Sequence, residues 1–437
     1  MKKCFVYFLT FIICLPSTIW GQNINIQLSK ISIPEFKGVQ SYAWAKYENK
    51  ILLVGGRLDG LHQKQPFLSF ARQFNNTNLI VLDLQTNQIW SRSLIELNQS
   101  IWEQLQSSNM EFWQDGNEFV LVGGYGYSDL KKDFITHPAI CIIEVRELIN
   151  SVINGESIAP FIHQITDQRM AITGGNLGKI ESTYLLIGGH RFDGRYNPHS
   201  PDHGPGYKQQ YSNELRKFEL SKNGSSIEIR NFTAEFDTAL YHRRDFTLLP
   251  QYNTEGEKVF TLFSGVFRPE IDLPYYTLVD INKEKGKLLP NFYQKYSHYH
   301  TAAVAIYDSI KQDQYDIFFG GIAQIYKDKK GKNISDENVP FTNTISIIKR
   351  SKESTTEFTL NQTMPGYFGA SSHFIPASEE LIDSHGLFKY NKLKDKSVLI
   401  GYIIGGIESN EPNIFWDGDE SSSKASNLIW KVVISIN

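Results

Sequence analysis

An apolar run that ends in paired glycines recurs along this chain, and it constrains the fold more than any other feature. Four consecutive apolar residues suffice for a buried strand and are too few for a helix. Glycine tolerates backbone angles and close approaches that a side chain would forbid. Six such phrases therefore predict six copies of one β unit. The copies are Ile51–Gly56, Phe119–Gly124, Tyr184–Gly189, Thr261–Gly265, Asp316–Gly321 and Gly401–Gly406.

Each phrase is the second strand of a predicted four-stranded unit. In the first unit, the strand SYAWAKY precedes ILLVGG, and LIVLDLQTNQIW supplies a third and fourth strand around a polar turn. In the third unit, we predict QRMAITGG (168–175) as the first strand. The last unit ends in LIWKVVISI and is one strand short. The alternating segment Asn25–Ile33 would supply the missing strand and leave no free edge between the first and last units.

These residues resemble kelch repeats, the blades of propellers that include the galactose-oxidase group. LLVGG with LIVLDLQTNQIW, and HYHTAAVAIY with DIFFGG, carry the resemblance. It implies an all-β, six-bladed kelch-like β-propeller over residues 22–437, closed by the N-terminal strand. Successive glycine phrases lie 68, 65, 76, 56 and 85 residues apart, whereas a compact kelch unit has about 50 residues. A seventh blade in the long final stretch stays open as an alternative.

The N-terminus predicts export. Lys2 and Lys3 precede a short apolar run, and Gly21-Gln22 fits a cleavage point, so residues 1–21 read as a signal peptide. That run is too short to span a bilayer, so we expect a secreted or periplasmic protein without a membrane span. The net charge of −3 and the lack of a basic stripe argue against nucleic acid as a partner. We expect a monomer.

Strand reversal places the candidate ligand site. In an antiparallel four-stranded blade, the residues after each glycine phrase and those before each first strand lie on the same face. These positions are rich in arginine, histidine and tyrosine, a composition that suits a carboxylated or sulfated ligand. The predicted substrate-binding residues are Arg57, Tyr125, Arg169, Arg191, Arg195, Tyr196, Arg243, Arg244 and Arg268. The predicted proton-transfer residues are His190, His242, Tyr299 and His300.

Several of these residues also have a purely structural interpretation. Arg243 and Arg244, with Asp245, would serve equally well as an ion pair that ties loops together. His300 lies where kelch repeats often carry a packing histidine. The segment Gly189–Pro198 (GHRFDGRYNP) is the strongest functional candidate, because packing gives no reason for so polar a loop.

No cofactor is required by the sequence, and no metal ligands are assigned. A metal held by His298, His300 and either His242 or His190 stays open as an alternative. Tyr241-His242 and Tyr299-His300 are similar to the copper ligands of galactose oxidase. That resemblance also implies a Tyr–Cys cross-link. Cys141, the one cysteine beyond the leader, lies in an outer-strand segment, which argues against copper-radical oxidation.

Two functions remain. The first is an exported propeller that binds an acidic carbohydrate at the mouth of its central channel and acts on it as a lyase, epimerase or mutarotase. The second is a non-catalytic kelch-like module that binds a glycan or a protein partner. Some kelch-type propellers are sialate mutarotases, but a shared fold does not by itself establish a shared reaction. The sequence names neither the substrate nor the reaction.

Overall fold

In the computed structural model, six small antiparallel sheets form a ring. The structure describes residues 24–62, 67–197, 206–224, 226–328, 330–415 and 420–437. The expected signal peptide lies outside these residues. Among them, no helix has the length and apolar character needed to cross a membrane.

The described strands are numbered in chain order. They are β1 (Ile24–Ile31), β2 (Ala43–Tyr47), β3 (Lys50–Val54), β4 (Asn78–Asp83), β5 (Gln88–Ser93), β6 (Glu111–Asp115), β7 (Glu118–Val122), β8 (Tyr125–Ser128), β9 (Asp133–Thr136), β10 (Ala139–Glu144), β11 (Ile162–Thr166), β12 (Asn176–Ile180), β13 (Thr183–Ile187), β14 (His190–Gly194), β15 (Tyr207–Tyr211), β16 (Glu214–Asn223), β17 (Ser226–Phe236), β18 (Thr247–Tyr252), β19 (Lys258–Phe263), β20 (Val279–Ile281), β21 (Gly286–Leu288), β22 (Ala303–Asp308), β23 (Asp313–Phe319), β24 (Ile325–Lys327), β25 (Asn333–Ser335), β26 (Thr344–Arg350), β27 (Thr355–Thr363), β28 (His373–Pro376), β29 (Phe388–Lys389), β30 (Ser397–Ile404), β31 (Ile407–Ser409), β32 (Ser423–Ala425) and β33 (Ile429–Ile436). The described α-helices are α1 (Gln99–Leu105), α2 (Val145–Asn154), α3 (Thr238–Tyr241) and α4 (Tyr390–Leu393).

The sheets are the six blades of a β-propeller, which confirms the predicted fold class and blade number. From the axis outwards, the strand orders of the blades are β2-β3-β4-β5, β6-β7-β10-β11, β12-β13-β16-β17, β18-β19-β20-β21, β22-β23-β26-β27 and β28-β30-β33-β1. In the fifth sheet, the two-residue strand β29 also pairs, in parallel, with β22. The N-terminal strand β1 pairs along its whole length with the C-terminal strand β33, from Ile24 opposite Ile436 to Ile31 opposite Ile429. The predicted closure of the ring is therefore confirmed, and the seven-bladed alternative is not realised.

The glycine phrases occupy left-handed backbone at the end of the second strand of each blade. Gly123 and Gly124 have φ of 68° and 92°. A Cβ on Gly123 would lie 1.9 Å from the carbonyl oxygen of Ile172, which precedes the next blade. Ser264, which replaces the first glycine in the fourth phrase, keeps φ of 54° and donates its hydroxyl to the carbonyl of Ser297. The phrases thus join each blade to its neighbour at close range.

The hydrophobic core is divided among the interfaces between neighbouring blades. One cluster, for example, combines Ala45 and Leu52 of the first blade with Phe119 and Leu121 of the second. A similar cluster closes the ring and combines Ile51 of the first blade with residues of the last. Each blade therefore buries apolar surface on both of its sides.

One predicted strand is wrong. Gln168–Met170 forms a 3-10 turn, and the first strand of the third blade begins at Asn176. The adjacent Gly174 is held in left-handed backbone with φ of 68°, so the paired glycines there precede the strand. The helices α1 and α2, which lie in connections between strands, were not predicted from the sequence.

Candidate functional site

A ring of six backbone segments surrounds the axis on the face that carries the glycine phrases, which we call the glycine face. Each segment is centred on one residue that precedes the first strand of a blade by two or three positions and has φ between 48° and 68°. These residues are Ser41, Asn109, Gly174, Asp245, His300 and Ser371. Five backbone N–H···O=C hydrogen bonds of 2.7–3.4 Å join neighbouring members. We call this feature the amide ring.

The sixth joint of the amide ring, between Asp245 and His300, has no backbone hydrogen bond in the structure. Instead the two side chains face each other, with His300 Nδ1 3.7 Å from Asp245 Oδ1. The same nitrogen lies 3.4 Å from the hydroxyl of Ser371. A carboxylate and an imidazole thus stand at the one interrupted point of the ring.

Arg244 lies beside this joint and forms the centre of what we call the mouth site: Arg244, Asp245, His300, Tyr211 and Tyr299. Its Nε donates to Tyr211 Oη at 3.2 Å, and its Nη1 contacts Asp245 Oδ2 at 3.4 Å. Its guanidinium lies over the ring of Phe267 at 5.2 Å. The side chain is 17% exposed, and no described residue accepts a hydrogen bond from Nη2. One edge of this guanidinium is therefore free of described protein acceptors.

The surroundings keep His300 neutral. Burial lowers its pKa below the ordinary 6.5, the Asp245 carboxylate opposes that shift, and the Arg244 cation adds to it. Burial also raises the pKa of Tyr299, with a contribution from Asp245. A neutral imidazole can accept a proton at neutral pH, and a protonated tyrosine can donate one.

Five of the predicted residues come together around this point. Arg244, Tyr299 and His300 belong to the mouth site itself. His190 lies close enough to Arg244 for the cation to lower its pKa further than burial alone. Tyr196 has a pKa raised by burial, and the Arg244 charge acts on it in the opposite direction.

His242 and Arg243 lie behind the mouth site. His242 stacks on Tyr211, with 3.9 Å between ring centroids, and its Nδ1 lies 2.7 Å from Asn213 Oδ1. Arg243 is fully buried, and its guanidinium donates to the carbonyl and the hydroxyl of Thr277, both at 2.7 Å. These contacts brace the fourth blade, so Arg243 corresponds to the structural interpretation of this arginine pair.

The other predicted residues have their own partners within the protein. Arg57, Arg169 and Arg191 form ion pairs with acids two positions away in sequence, at 2.5–2.7 Å. Arg195 lies over the ring of Phe134, and Arg268 lies over that of Tyr276. Tyr125 donates its hydroxyl to the carbonyl of Gly194. Whether any of these residues contacts a ligand remains a prediction.

Two residues near the axis, Tyr211 and Glu111, were not predicted as candidate site residues from the sequence. Tyr211 enters the mouth site because β15 pairs with β14 and sets it opposite His190; only a prediction of that hairpin could have found it. Glu111 is 2% exposed, accepts the N–H of Gly175 at 2.7 Å, and has no described hydrogen-bond partner at Oε2. Burial raises its pKa to about 8. The sequence signal that could have identified Glu111 is an acidic residue among the apolar residues of the predicted strand NMEFW.

The described residues contain no group of three or more histidine, cysteine, aspartate or glutamate side chains placed to hold a metal. His298 is buried, and its Nδ1 contacts the carbonyl of Gly320 at 2.5 Å. Cys141 is buried in β10, where its thiol lies 3.1 Å from Gln104 Oε1. This position corresponds to the expected outer-strand location of the cysteine.

No family model matches this chain, and no match was found among curated proteins. The chemistry of the mouth site is therefore the basis for a proposed function.

Proposed function

We propose that the mouth site binds the carboxylate of an acidic sugar and that His300 transfers a proton on the bound sugar. The observation that carries this proposal is the guanidinium of Arg244. It is largely buried, it is held by Tyr211 and Asp245, and one of its edges has no described acceptor. Arginine matches carboxylate geometry because its planar fork can donate two parallel hydrogen bonds.

The proposed reaction applies to a uronic acid, in which the carbon next to the carboxylate carries a hydrogen, and it begins at that carbon. His300, neutral because of its burial, accepts the proton from that carbon. The C–H electron pair moves into the carboxylate as an enolate, whose negative charge Arg244 stabilises. Asp245, 3.7 Å from His300, stabilises the imidazolium that forms. Tyr299 is the proposed donor of the second proton. Its transfer to the opposite face of the enolate gives an epimer, whereas its transfer to the oxygen substituent on the neighbouring carbon, which then leaves with the C–O electron pair, gives an unsaturated sugar.

The resemblance to kelch repeats and the leader-like residues 1–21 extend the proposal to an exported monomer. Some kelch-type propellers act on sialic acid, which is itself a carboxylated sugar, and this supports the ligand class. On that basis, the acidic sugar that gives its proton to His300 would belong to an extracellular or periplasmic glycan.

A second function, binding without turnover, is favoured by apolar side chains on the loops that follow the first two glycine phrases. Phe67 is 71% exposed, Leu68 49% and Leu130 57%. The carbonyl of Phe67 accepts a hydrogen bond from Arg195, so this rim adjoins a predicted ligand-binding residue. Exposed apolar groups of this kind commonly mark binding surfaces.

Calorimetry with a panel of uronic-acid and sialic-acid saccharides would test the proposal. Arg244→Gln should weaken binding at least tenfold, the scale of a lost charge-assisted hydrogen bond of about 1.5–3 kcal/mol. Arg72→Gln is the matched control, because Arg72 lies on the same face, is 54% exposed and pairs with Asp129; it should change affinity less than twofold.

Turnover would be followed by absorbance of unsaturated products and by nuclear magnetic resonance of the anomeric and ring protons. His300→Gln should keep binding and reduce turnover by about a hundredfold. Binding without any turnover in the wild-type protein would select the second function. Equal effects of Arg244→Gln and Arg72→Gln would contradict the mouth site.

A further inference from the structure

A cavity of about 590 Å³ lies between the six first strands, below the amide ring. At the glycine face its wall includes Asp245 and His300, and at the opposite face it includes Lys46 and Glu379. Ligand pockets for drug-sized molecules have volumes of about 300–1,000 Å³. We call this space the channel cavity.

We call the opposite face, where the tight turns between strands lie, the turn face. There, one connecting segment partly covers the channel cavity. Residues 377–396 connect β28 to β30, and within them β29 pairs in parallel with β22, with Phe388 opposite Ile306. Asp383 Oδ2 accepts a hydrogen bond from Tyr252 at 2.9 Å, and His385 Nε2 lies 2.8 Å from the carbonyl of Val259. This segment therefore spans from the sixth blade to the fourth and fifth.

A surface groove of about 500 Å³ adjoins the cavity on this turn face. The groove and the cavity share four wall residues: Lys46, Gln114, Gly116 and Glu379. Because they share these residues, the groove adjoins the end of the channel cavity that lies away from the amide ring and the mouth site.

The middle of the channel cavity is aromatic. Its rings are Trp44, Phe112, Trp113, Phe260, Phe374 and Phe388. Trp44 and Phe112 pack edge to face at 6.3 Å, as do Trp113 and Phe260 at 5.5 Å. Trp44, Phe112 and Trp113 nevertheless stay only half-buried, because the space beside them is unfilled by protein.

Hydrogen-bond donors point to the ligand's chemistry. The buried hydroxyl of Thr247 has no described hydrogen-bond partner. The indole N–H groups of Trp44 and Trp113, both of which line the cavity, also form no hydrogen bond with a described protein atom. The charges at the two ends are already engaged: Lys46 Nζ donates to two carbonyls at 2.8 Å, and Asp245 contacts Arg244. The described wall residues also include Glu379 and the buried Glu111, whose Oε2 has no described hydrogen-bond partner, and Lys46 is the one Lys or Arg side chain among them. An anionic ligand would therefore lose its hydration among mostly acidic side chains.

We propose that the channel cavity is a second ligand site, reached from the turn face, for an uncharged, ring-containing apolar molecule that carries hydrogen-bond acceptors. Its rings would pack on the aromatic wall, and its acceptors would pair with the indole N–H groups. The channel cavity adjoins the mouth site, since Asp245 and His300 belong to both, but this proposal does not rest on the acidic-sugar proposal.

Two naphthalene probes test the ligand class. Prodan is uncharged and carries a ketone acceptor, whereas 1-anilinonaphthalene-8-sulfonate is an anion of similar ring size. Prodan should bind the folded protein with a blue-shifted, enhanced emission, and the sulfonate should bind at least tenfold more weakly. No prodan binding, or equal affinity for both probes, would overturn the proposal.

Substitutions locate the prodan site. Ala303→Trp fills the cavity from β22 and should weaken prodan binding at least tenfold. Ala234→Trp adds the same side chain to an exposed position of β17 and should change affinity less than twofold. If Ala303→Trp fails to fold, Trp113→Phe decides the question, since it keeps a ring but removes the N–H. It should weaken binding at least threefold, and unchanged binding would place the probe elsewhere.

Discussion

The strand β1 should stabilise the whole ring, and one side chain allows this to be measured. Ile26 lies in the middle of β1 opposite Ile434 and is 2% exposed. It packs in the cluster between the fifth and sixth blades, with Val432 and Ile434. Its neighbour Gln27 points to solvent from the same strand. Ile26→Ala therefore removes core contacts, whereas Gln27→Ala changes the same strand without touching the core.

The expected cost follows from the burial of Ile26. Replacing a buried isoleucine by alanine typically costs about 2–5 kcal/mol, and we take about 3 kcal/mol for a strand at the outer side of a blade. An exposed substitution stays within about 0.5 kcal/mol. Residues 24–437 number 437 − 23 = 414. At about 2.1 cal/mol/K per residue, their unfolding entropy is about 0.9 kcal/mol/K. Ile26→Ala should thus lower the Tm by about 3 °C, and Gln27→Ala by less than about 1 °C.

Calorimetry measures the Tm, and hydrogen exchange shows where the effect arises. If β1 detaches as a local unit, the amides of β33 that bond to it should exchange faster in Ile26→Ala. The exchange rate of these amides should rise by at most about a hundredfold, because the expected loss is about 3 kcal/mol and about 1.4 kcal/mol corresponds to a factor of ten. Amides of β26, in the neighbouring blade, should change much less.

Two results would refute this reasoning. Equal Tm values for Ile26→Ala and Gln27→Ala would mean that closure by β1 adds little stability. Uniform acceleration of exchange in β26 and β33 would mean that β1 does not open locally.

Three further predictions follow from the glycines, a buried acid and the buried thiol. Gly123→Ala should cost at least about 2 kcal/mol more than Gly116→Ala, because both have positive φ but only Gly123 would place a Cβ against a carbonyl, that of Ile172; equal urea midpoints would contradict this. Burial raises the pKa of Glu111 to about 8, so the native state binds the extra proton and stability should fall as pH rises from about 4 to about 8. The buried histidines, whose pKa values are lowered, make stability rise with pH, but only below about pH 6.5. Glu111→Gln should therefore flatten the loss of Tm between pH 6.5 and 8, and an unchanged slope would assign it to other groups. Burial raises the pKa of Cys141 to about 12, so in a chain beginning at Gln22 a disulfide reagent should detect no thiol until denaturant is added, and rapid native labelling would show that the strand opens.

The architecture was largely predictable because its signals are local. Four apolar residues followed by paired glycines predicted the second strand of each blade, and the left-handed φ at Gly123 and Gly124 explains why glycine is used there. The missing strand of the last unit predicted closure by β1. The strand predicted at 168–175 failed because Gly174 resembles a phrase glycine, although it belongs to the amide ring.

The mouth site was predictable only in part. The positions next to the glycine phrases and first strands identified Arg244, Tyr299 and His300, since strand reversal sends them to one face. Tyr211 is brought in by a hairpin whose pairing the sequence did not reveal. Glu111 was overlooked because it lies within a strand that otherwise reads as core.

By itself, the sequence predicted six blades, their order and the closing strand, because these depend on backbone conformation and strand pattern within short segments. The structure was needed to exclude the seventh blade that the sequence left open. Only the tertiary structure decided which polar side chains share a site. Arg243 and Arg244 are adjacent in sequence, yet one braces the fourth blade through Thr277 and the other reaches Tyr211 at the mouth. Successive side chains of extended backbone point to opposite sides. What each arginine meets there depends on how the blades and hairpins pack together.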